Sequence, residues 1–190
     1  MLKKGGNAID AAVAAASCLA VVEPTSNGIG GDAFALVWTD GKLHGLNASG
    51  PAPQTLSLQA LTKAGYEKIP EYGVSPVTVP GAPACWATLS SRFGRLPLTE
   101  SMAPAIRYAE QGFPVSPLVA DLWQTAVNIY RAQSGEEFKY WFETFAPLGR
   151  APKAGETWRL PNQARTLAEI AETNADVFYK GHLAEKIGEF

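Results

Sequence analysis

Few side chains in this sequence combine the type and the spacing that chemistry requires. The two cysteines, Cys18 and Cys85, lie in separate apolar stretches without a CxxC pattern, which argues against a structural zinc or redox pair. The two histidines, His44 and His182, lie far apart and lack the spacing of metal ligands. The cysteines and histidines therefore predict buried free thiols and no metal site. No organic cofactor is implied by the sequence either.

A glycine-rich run, Gly28-Ile29-Gly30-Gly31, is a second candidate, because such loops can cradle phosphate groups. Phosphate-binding loops follow a strand and open a helix. This run follows a predicted helix and precedes a predicted strand. The order favours a tight turn in which one backbone approaches another, and it argues against nucleotide binding.

An aromatic cluster near the middle of the chain could line a ligand pocket or cover a partner. It consists of Phe138, Tyr140, Trp141, Phe142 and Phe145. Aromatic residues at helical spacing are more often core, so we expect most of the cluster to pack inside the fold.

A long small-residue helix must form the centre of the framework. The alanine-rich segment from Asn7 to Val22 predicts a buried helix that ends where Glu23 precedes Pro24. The basic start followed by apolar residues also fits a secretory signal, but Asn7 and Asp10 interrupt its apolar part. The run is shorter than the roughly 20 apolar residues that cross a membrane. The sequence is compatible with either a cytoplasmic or an exported protein.

A hairpin follows this helix. Residues 33–39 are apolar except for the final Thr39 and predict a strand buried on both faces. Asp40-Gly41 predicts a two-residue turn, because both positions tolerate positive φ. Residues 42–47 then form the return strand, and residues 48–53 leave the sheet as a loop.

The rest of the chain predicts mostly helices separated by proline and glycine. Ser116-Pro117 is an N-cap followed by proline at the first helical position. Residues 70–80 carry proline at both ends and predict a loop or an edge strand. The predicted helices cover 57–64, 81–93, 98–111, 116–130, 136–145, 162–172 and a segment from 182 onward.

Composition limits the classes of partner. The chain has 190 residues, 46% of them hydrophobic, and a net charge of -2, so it has apolar material for a core and no basic surface. We expect no nucleic acid and no membrane among its partners. The final amphipathic pattern, Leu183, Ile187 and Phe190, has no stop signal, and the first residues begin abruptly. We expect residues 1–190 to be part of a larger domain, truncated at both ends.

Seven short motifs occur in a fixed order along the chain. They are Gly5-Gly6-Asn7-Ala8-Ile9-Asp10-Ala11-Ala12, Val22-Glu23-Pro24, Gly28-Ile29-Gly30-Gly31, Val79-Pro80-Gly81, Arg92-Phe93-Gly94, Ala103-Pro104-Ala105-Ile106 and Gly112-Phe113-Pro114-Val115-Ser116. None is specific alone. Together they cover most of the chain and resemble the first part of the large subunit in the gamma-glutamyltranspeptidase family of N-terminal-nucleophile hydrolases.

The resemblance implies an α+β fold that forms part of a four-layer αββα sandwich, helix-rich in this segment. It also implies a proenzyme that cuts itself before a threonine. The threonine hydroxyl then attacks a gamma-glutamyl or related N-acyl amide, with its own amino group as the base, and forms an acyl-enzyme. The small subunit of the same proenzyme would carry that threonine. We therefore assign no catalytic residue to this chain.

One departure from the family pattern bears on the substrate. Family members have an Arg-Glu-Thr-Ala-Pro motif after the hairpin, whose arginine holds the α-carboxylate of the glutamyl group. Here the stretch reads Leu46-Asn47-Ala48-Ser49-Gly50-Pro51-Ala52-Pro53, with Ser49 at the arginine position. It resembles the branch that includes cephalosporin-acylase-like members, and Asn47 and Ser49 are our candidate substrate-binding residues.

Three alternatives stay open at this point. Asn47 and Ser49 could merely cap a turn, because both residue types favour local hydrogen bonds. One of Arg92, Arg95 and Arg107 could replace the missing carboxylate binder, although each is expected to be a solvated charge on a helix. The chain could also be a catalytically inactive remnant that acts as a binding or structural module.

Overall fold

Helices make up most of the fold. The computed structural model describes residues 1–190 and contains nine α-helices, two single-turn 3₁₀-helices and two pairs of antiparallel strands. The helices are α1 (Ala8–Val22), α2 (Leu58–Lys63), α3 (Ala82–Phe93), α4 (Leu98–Gln111), α5 (Pro117–Arg131), α6 (Trp141–Phe145), α7 (Pro161–Glu172), α8 (Asp176–Lys180) and α9 (His182–Glu189). The strands are β1 (Ala33–Thr39), β2 (Lys42–Ala48), β3 (Phe113–Pro114) and β4 (Thr157–Trp158). This arrangement confirms the predicted helix-rich α+β class.

Helix α1 lies at the centre and packs chiefly against α4 and α3. Its alanines allow this close packing, and Val13 and Val21 are almost fully buried. The prediction of burial on all sides was wrong for this chain, because Ala12, Ala15 and Leu19 form an exposed face. None of the helices has both the length and the apolar character needed to span a bilayer.

The buried carboxylate of Asp10 joins the start of α1 to the loop between α3 and α4. It accepts hydrogen bonds from the backbone N–H groups of Asn7 (2.7 Å), Arg95 (3.1 Å) and Leu96 (3.2 Å). The Asn7 side chain caps α1 and donates to the Phe93 carbonyl at 2.6 Å. The first motif of the sequence is therefore a structural anchor between helices.

The environment of Asp10 favours its ionised form. Burial by itself would raise the pKa of this carboxyl, but the three backbone N–H donors together hold the pKa below its ordinary value. The neighbouring glycines make room for the carboxylate. A Cβ on Gly94 would lie 2.7 Å from a carboxylate oxygen of Asp10, and one on Gly6 would lie 3.0 Å from the other.

The hairpin of β1 and β2 turns at Asp40 and Gly41, which have φ values of 51° and 72°, as the sequence predicts for a primed turn. One face of the hairpin packs on α3 and the core. The other face carries Phe34, Leu36 and Trp38, which are 64%, 77% and 70% exposed. The predicted burial of β1 on both faces was wrong for this chain, because no element within residues 1–190 covers the outer face.

A second small sheet was not predicted. Phe113 pairs with Trp158 and Pro114 with Thr157, joining the end of α4 to the start of α7. Strands of two residues have no alternation to detect. The predicted helix over 136–145 is also interrupted, because a 3₁₀ turn at Glu136–Phe138 precedes α6.

The aromatic cluster packs mostly inward, as expected. Trp141 stacks on Tyr130 with ring centroids 4.4 Å apart, and Trp141 and Phe145 pack against the core. Tyr140 is the exception, at 52% exposure. Of the two predicted buried thiols, Cys85 is buried and Cys18 is only half-buried, and burial raises the pKa of both.

Candidate functional site

The loop that leaves the hairpin borders a cleft of about 540 Å³. One wall is formed by residues 46–51, and the facing wall by residues 79–81 and the first turns of α3. Tyr179 of α8 closes one side. Both predicted substrate-binding residues, Asn47 and Ser49, line this cleft.

The two candidates differ in what their side chains do. The carboxamide oxygen of Asn47 accepts the backbone N–H of Ser49 at 2.9 Å, so Asn47 caps the turn as the structural alternative supposes. Asn47 is paired with Phe34, which places it on the exposed outer face of the hairpin. The Ser49 hydroxyl makes no hydrogen bond within residues 1–190 and is available to a ligand.

The backbone around Ser49 is held tightly between two chain segments. Gly50 has φ 75°, a conformation that favours glycine, and a Cβ there would collide with the Val79 carbonyl oxygen. A Cβ on Gly81 would likewise collide with the Ala48 carbonyl oxygen. The Val79 N–H donates to the Pro51 carbonyl at 3.0 Å. We call this contact between residues 48–51 and 78–81 the loop clamp.

A hydroxyl adds to the loop clamp. Thr78 donates its hydroxyl to the Ser49 carbonyl at 3.1 Å. The position of Ser49 is therefore set by packing and hydrogen bonds from a segment about thirty residues further along the chain.

The N-terminus of α3 faces this cleft but does not offer an anion site. The Gly31 carbonyl accepts the N–H groups of Gly81 (2.9 Å) and Ala82 (3.1 Å), and the Tyr179 hydroxyl accepts that of Ala84 (3.1 Å). Pro83 has no N–H. The donors of the first turn are used, and the glycine-rich run supplies a close backbone contact, as the sequence predicts.

No charged side chain lines the cleft. Arg92 and Arg95 lie at the opposite end of α3 and border a different cleft beside the hairpin turn. The Arg92 guanidinium lies 5.0 Å from the centre of the Phe93 ring. Arg107 is exposed on α4. The structure thus places none of the three arginines where it could replace the missing carboxylate binder.

The histidines and cysteines do not assemble into a site. His44 packs beside Phe93, with ring centroids 5.0 Å apart, and His182 lies 2.9 Å from a carboxylate oxygen of Glu169. No three His, Cys, Asp or Glu side chains converge in a way that could hold a metal ion.

Sequence reasoning missed Tyr179. Its hydroxyl donates to the Pro80 carbonyl at 2.6 Å in addition to accepting from Ala84. The residue follows the loop clamp by about a hundred positions, and no local pattern marks it. The Val79-Pro80-Gly81 motif was visible in the sequence, but its contacts with Ala48, Gly50 and Pro51 were not.

The sequence profile of the family described as Gamma-glutamyltranspeptidase matches residues 1–190, which is the whole chain. The chain belongs to the gamma-glutamyltranspeptidase family. The resemblance identified from the motifs is therefore a true family relationship.

Individual relatives agree with the family assignment. The chain is 37% identical over 97% of its length to the glutathione hydrolase proenzyme of Pseudomonas aeruginosa. It is 39% identical over its whole length to the oxamate amidohydrolase proenzyme of Klebsiella pneumoniae. Among proteins of known structure, a cephalosporin acylase from Bacillus halodurans is 57% identical over 98% of the chain, with a TM-score of 0.96. This confirms the predicted similarity to the cephalosporin-acylase-like branch.

The match covers only part of each relative. The chain spans 32% of the Pseudomonas protein, 36% of the Klebsiella protein and 35% of the Bacillus acylase. The chain thus corresponds to about a third of the length of each of these proteins.

Proposed function

We propose that residues 1–190 form part of the large subunit of a self-processing amidohydrolase with a threonine nucleophile. The family match over the whole chain supports this proposal. In the proposed reaction the threonine oxygen attacks the amide carbonyl carbon, and the amine leaves with a proton. Water or an acceptor amine then releases the acyl group. This chain's part is to shape the acyl-binding cleft.

We propose further that the hairpin belongs to one sheet of a four-layer αββα sandwich. The exposed side chains of Phe34, Leu36 and Trp38 support this, because a soluble domain rarely leaves such a continuous apolar face uncovered. The same face argues against the stand-alone module that the sequence left open. The rest of the proenzyme, including the small subunit, would cover it.

Cysteine labelling of the complete protein tests the sandwich. A thiol in Leu36→Cys is expected to react slowly, because the second sheet excludes reagent, whereas one in Leu58→Cys is expected to react fast. The two side chains are 77% and 81% exposed within residues 1–190, so they form a matched pair. The unsubstituted protein gives the background from Cys18 and Cys85. Equal rates for both variants would refute coverage of the hairpin.

We propose that the acyl group of the substrate is not held through an α-carboxylate. The observation that carries this is the absence of any charged side chain around Ser49, since a serine hydroxyl cannot offer the bidentate charged contact of a guanidinium. Two of the relatives are named for other amides, an oxamate amidohydrolase and a cephalosporin acylase. We therefore propose that the complete enzyme hydrolyses N-acyl amides other than gamma-glutamyl amides, and that it recognises the gamma-glutamyl group only weakly.

Kinetics of the complete, processed enzyme test this specificity. We expect kcat/KM for a gamma-glutamyl anilide to be no higher than for the butyryl anilide, which lacks the α-amino and α-carboxylate groups. Ser49→Arg is expected to raise kcat/KM for the gamma-glutamyl anilide about tenfold, because a charge-assisted contact contributes about 1.5 kcal/mol or more. Ser49→Gln, which is long but uncharged, is the control and should give no gain. Ordinary affinity for the gamma-glutamyl anilide in the unsubstituted enzyme would refute the proposal.

A further inference from the structure

The Tyr179 hydroxyl joins two points of one backbone segment. It donates to the Pro80 carbonyl at 2.6 Å and accepts the Ala84 N–H at 3.1 Å. These groups lie on either side of the Gly81 turn where α3 begins. The hydroxyl therefore fixes the direction in which residues 78–81 enter the helix.

Residues 78–81 are one of the two segments that form the loop clamp. This segment contacts the Ser49 loop through the bond from Val79 to Pro51, the bond from Thr78 to Ser49, and the close approach of Gly81 to Ala48. A shift of residues 79–81 would therefore move the Ser49 loop with it, because the glycine contacts leave no free space between the two backbones.

We infer that Tyr179 is a positioning residue for substrate, which acts by holding the loop clamp and thereby the place of Ser49 in the cleft. The inference rests on the proposed function, in which Ser49 lies beside the acyl group. Tyr179 is not assigned a catalytic role, since it acts through the backbone of residues 78–81.

The surroundings of Tyr179 suit this role. Its side chain is half-buried, and its ring packs beside Phe178 with centroids 5.2 Å apart. Burial raises the pKa of the Tyr179 hydroxyl, even though the bond from Ala84 works in the opposite direction. The hydroxyl thus stays protonated near neutral pH and continues to donate to Pro80.

The test uses Tyr179→Phe in the complete, processed enzyme, which removes the hydroxyl and keeps the ring. We expect KM for the best N-acyl anilide to rise about tenfold with kcat within about twofold, because the two lost hydrogen bonds loosen the clamp. Thr78→Val is a second variant at an exposed position, and its KM should rise in the same direction by about threefold. Amide hydrogen exchange at Val79 should accelerate in both variants.

Two controls separate positioning from loss of stability. Tyr108→Phe removes a tyrosine hydroxyl that makes no hydrogen bond, and its KM should not change. Val127→Ala lowers stability through a buried site on α5, away from the cleft, and should lower Tm with KM unchanged.

The outcomes distinguish this inference from the proposed function. Unchanged Val79 exchange in Tyr179→Phe, or an unchanged KM in both clamp variants, would overturn the positioning role while the enzyme remains an amidase. An unsubstituted enzyme that hydrolyses no N-acyl anilide would overturn the proposed function, and the exchange measurement would still decide whether Tyr179 holds the clamp.

Discussion

Replacement of Gly50 by alanine is expected to lower the free energy of unfolding by about 3 kcal/mol. About 1 kcal/mol comes from the positive φ that a Cβ disfavours, and the remainder from displacement of the Val79 backbone. The strain falls on the loop clamp, so the same substitution should also impair binding of the acyl group. Chemical denaturation followed by tryptophan fluorescence measures the loss of stability.

A second glycine provides a matched control. Gly41 has φ 72°, close to the 75° of Gly50, but a Cβ there would meet nothing within 4 Å. Gly41→Ala should therefore lower the free energy of unfolding by about 1 kcal/mol, from the backbone conformation alone, and should leave KM unchanged. Equal losses of stability in the two variants would mean that the contact between Gly50 and Val79 does not constrain the loop.

Asp10→Asn is expected to lower the free energy of unfolding by about 3 kcal/mol, because it removes a buried charge that accepts three backbone N–H bonds. The asparagine carboxamide also places an NH₂ group, which is itself a donor, against these backbone N–H donors. Asp121→Asn, at an exposed position of α5 whose carboxylate makes no hydrogen bond, is the control and should change stability by less than about 0.5 kcal/mol. Similar effects of the two substitutions would contradict the anchoring role of Asp10.

Stability should also depend on pH through Asp10. The pKa of this carboxyl is below its ordinary value in the folded chain, so the folded state binds the proton less readily than the unfolded state. The stabilisation that ionised Asp10 gives to the folded state is complete above the pKa of about 3.9 in the unfolded chain. It is lost as pH falls through the lower pKa in the folded chain. Denaturation curves at falling pH should therefore show less acid sensitivity in Asp10→Asn than in the unsubstituted protein.

Local signals account for the parts of the fold that the sequence predicted well. The turn at Asp40-Gly41 and the cap at Ser116 each depend on neighbouring residues only, and both occur as predicted. The pairing of β3 with β4 depends on residues more than forty positions apart, and no local pattern encodes it.

Burial was harder to predict than secondary structure. Phe34, Leu36 and Trp38 are apolar, which correctly indicates a strand with two apolar faces, but residues 1–190 cover only one of them. An apolar composition indicates that a strand face tends to be buried, but it does not indicate which part of the protein covers that face.

The candidate site likewise combines features that local sequence predicts with contacts between distant residues that it does not predict. Asn47 and Ser49 were found through their place in a motif, and the two residues do line one cleft. The capping bond of Asn47 is local and was anticipated as an alternative. The loop clamp and the Tyr179 hydroxyl are contacts across about 30 and 100 positions, which only the folded chain brings together.

The most direct test of this account is the intact mass and N-terminal sequence of every chain in the complete protein, isolated under denaturing conditions. We expect two chains, with residues 1–190 inside the first and a threonine at the start of the second. A single uncleaved chain in the mature protein would contradict it, because the proposed nucleophile exists only after cleavage before that threonine.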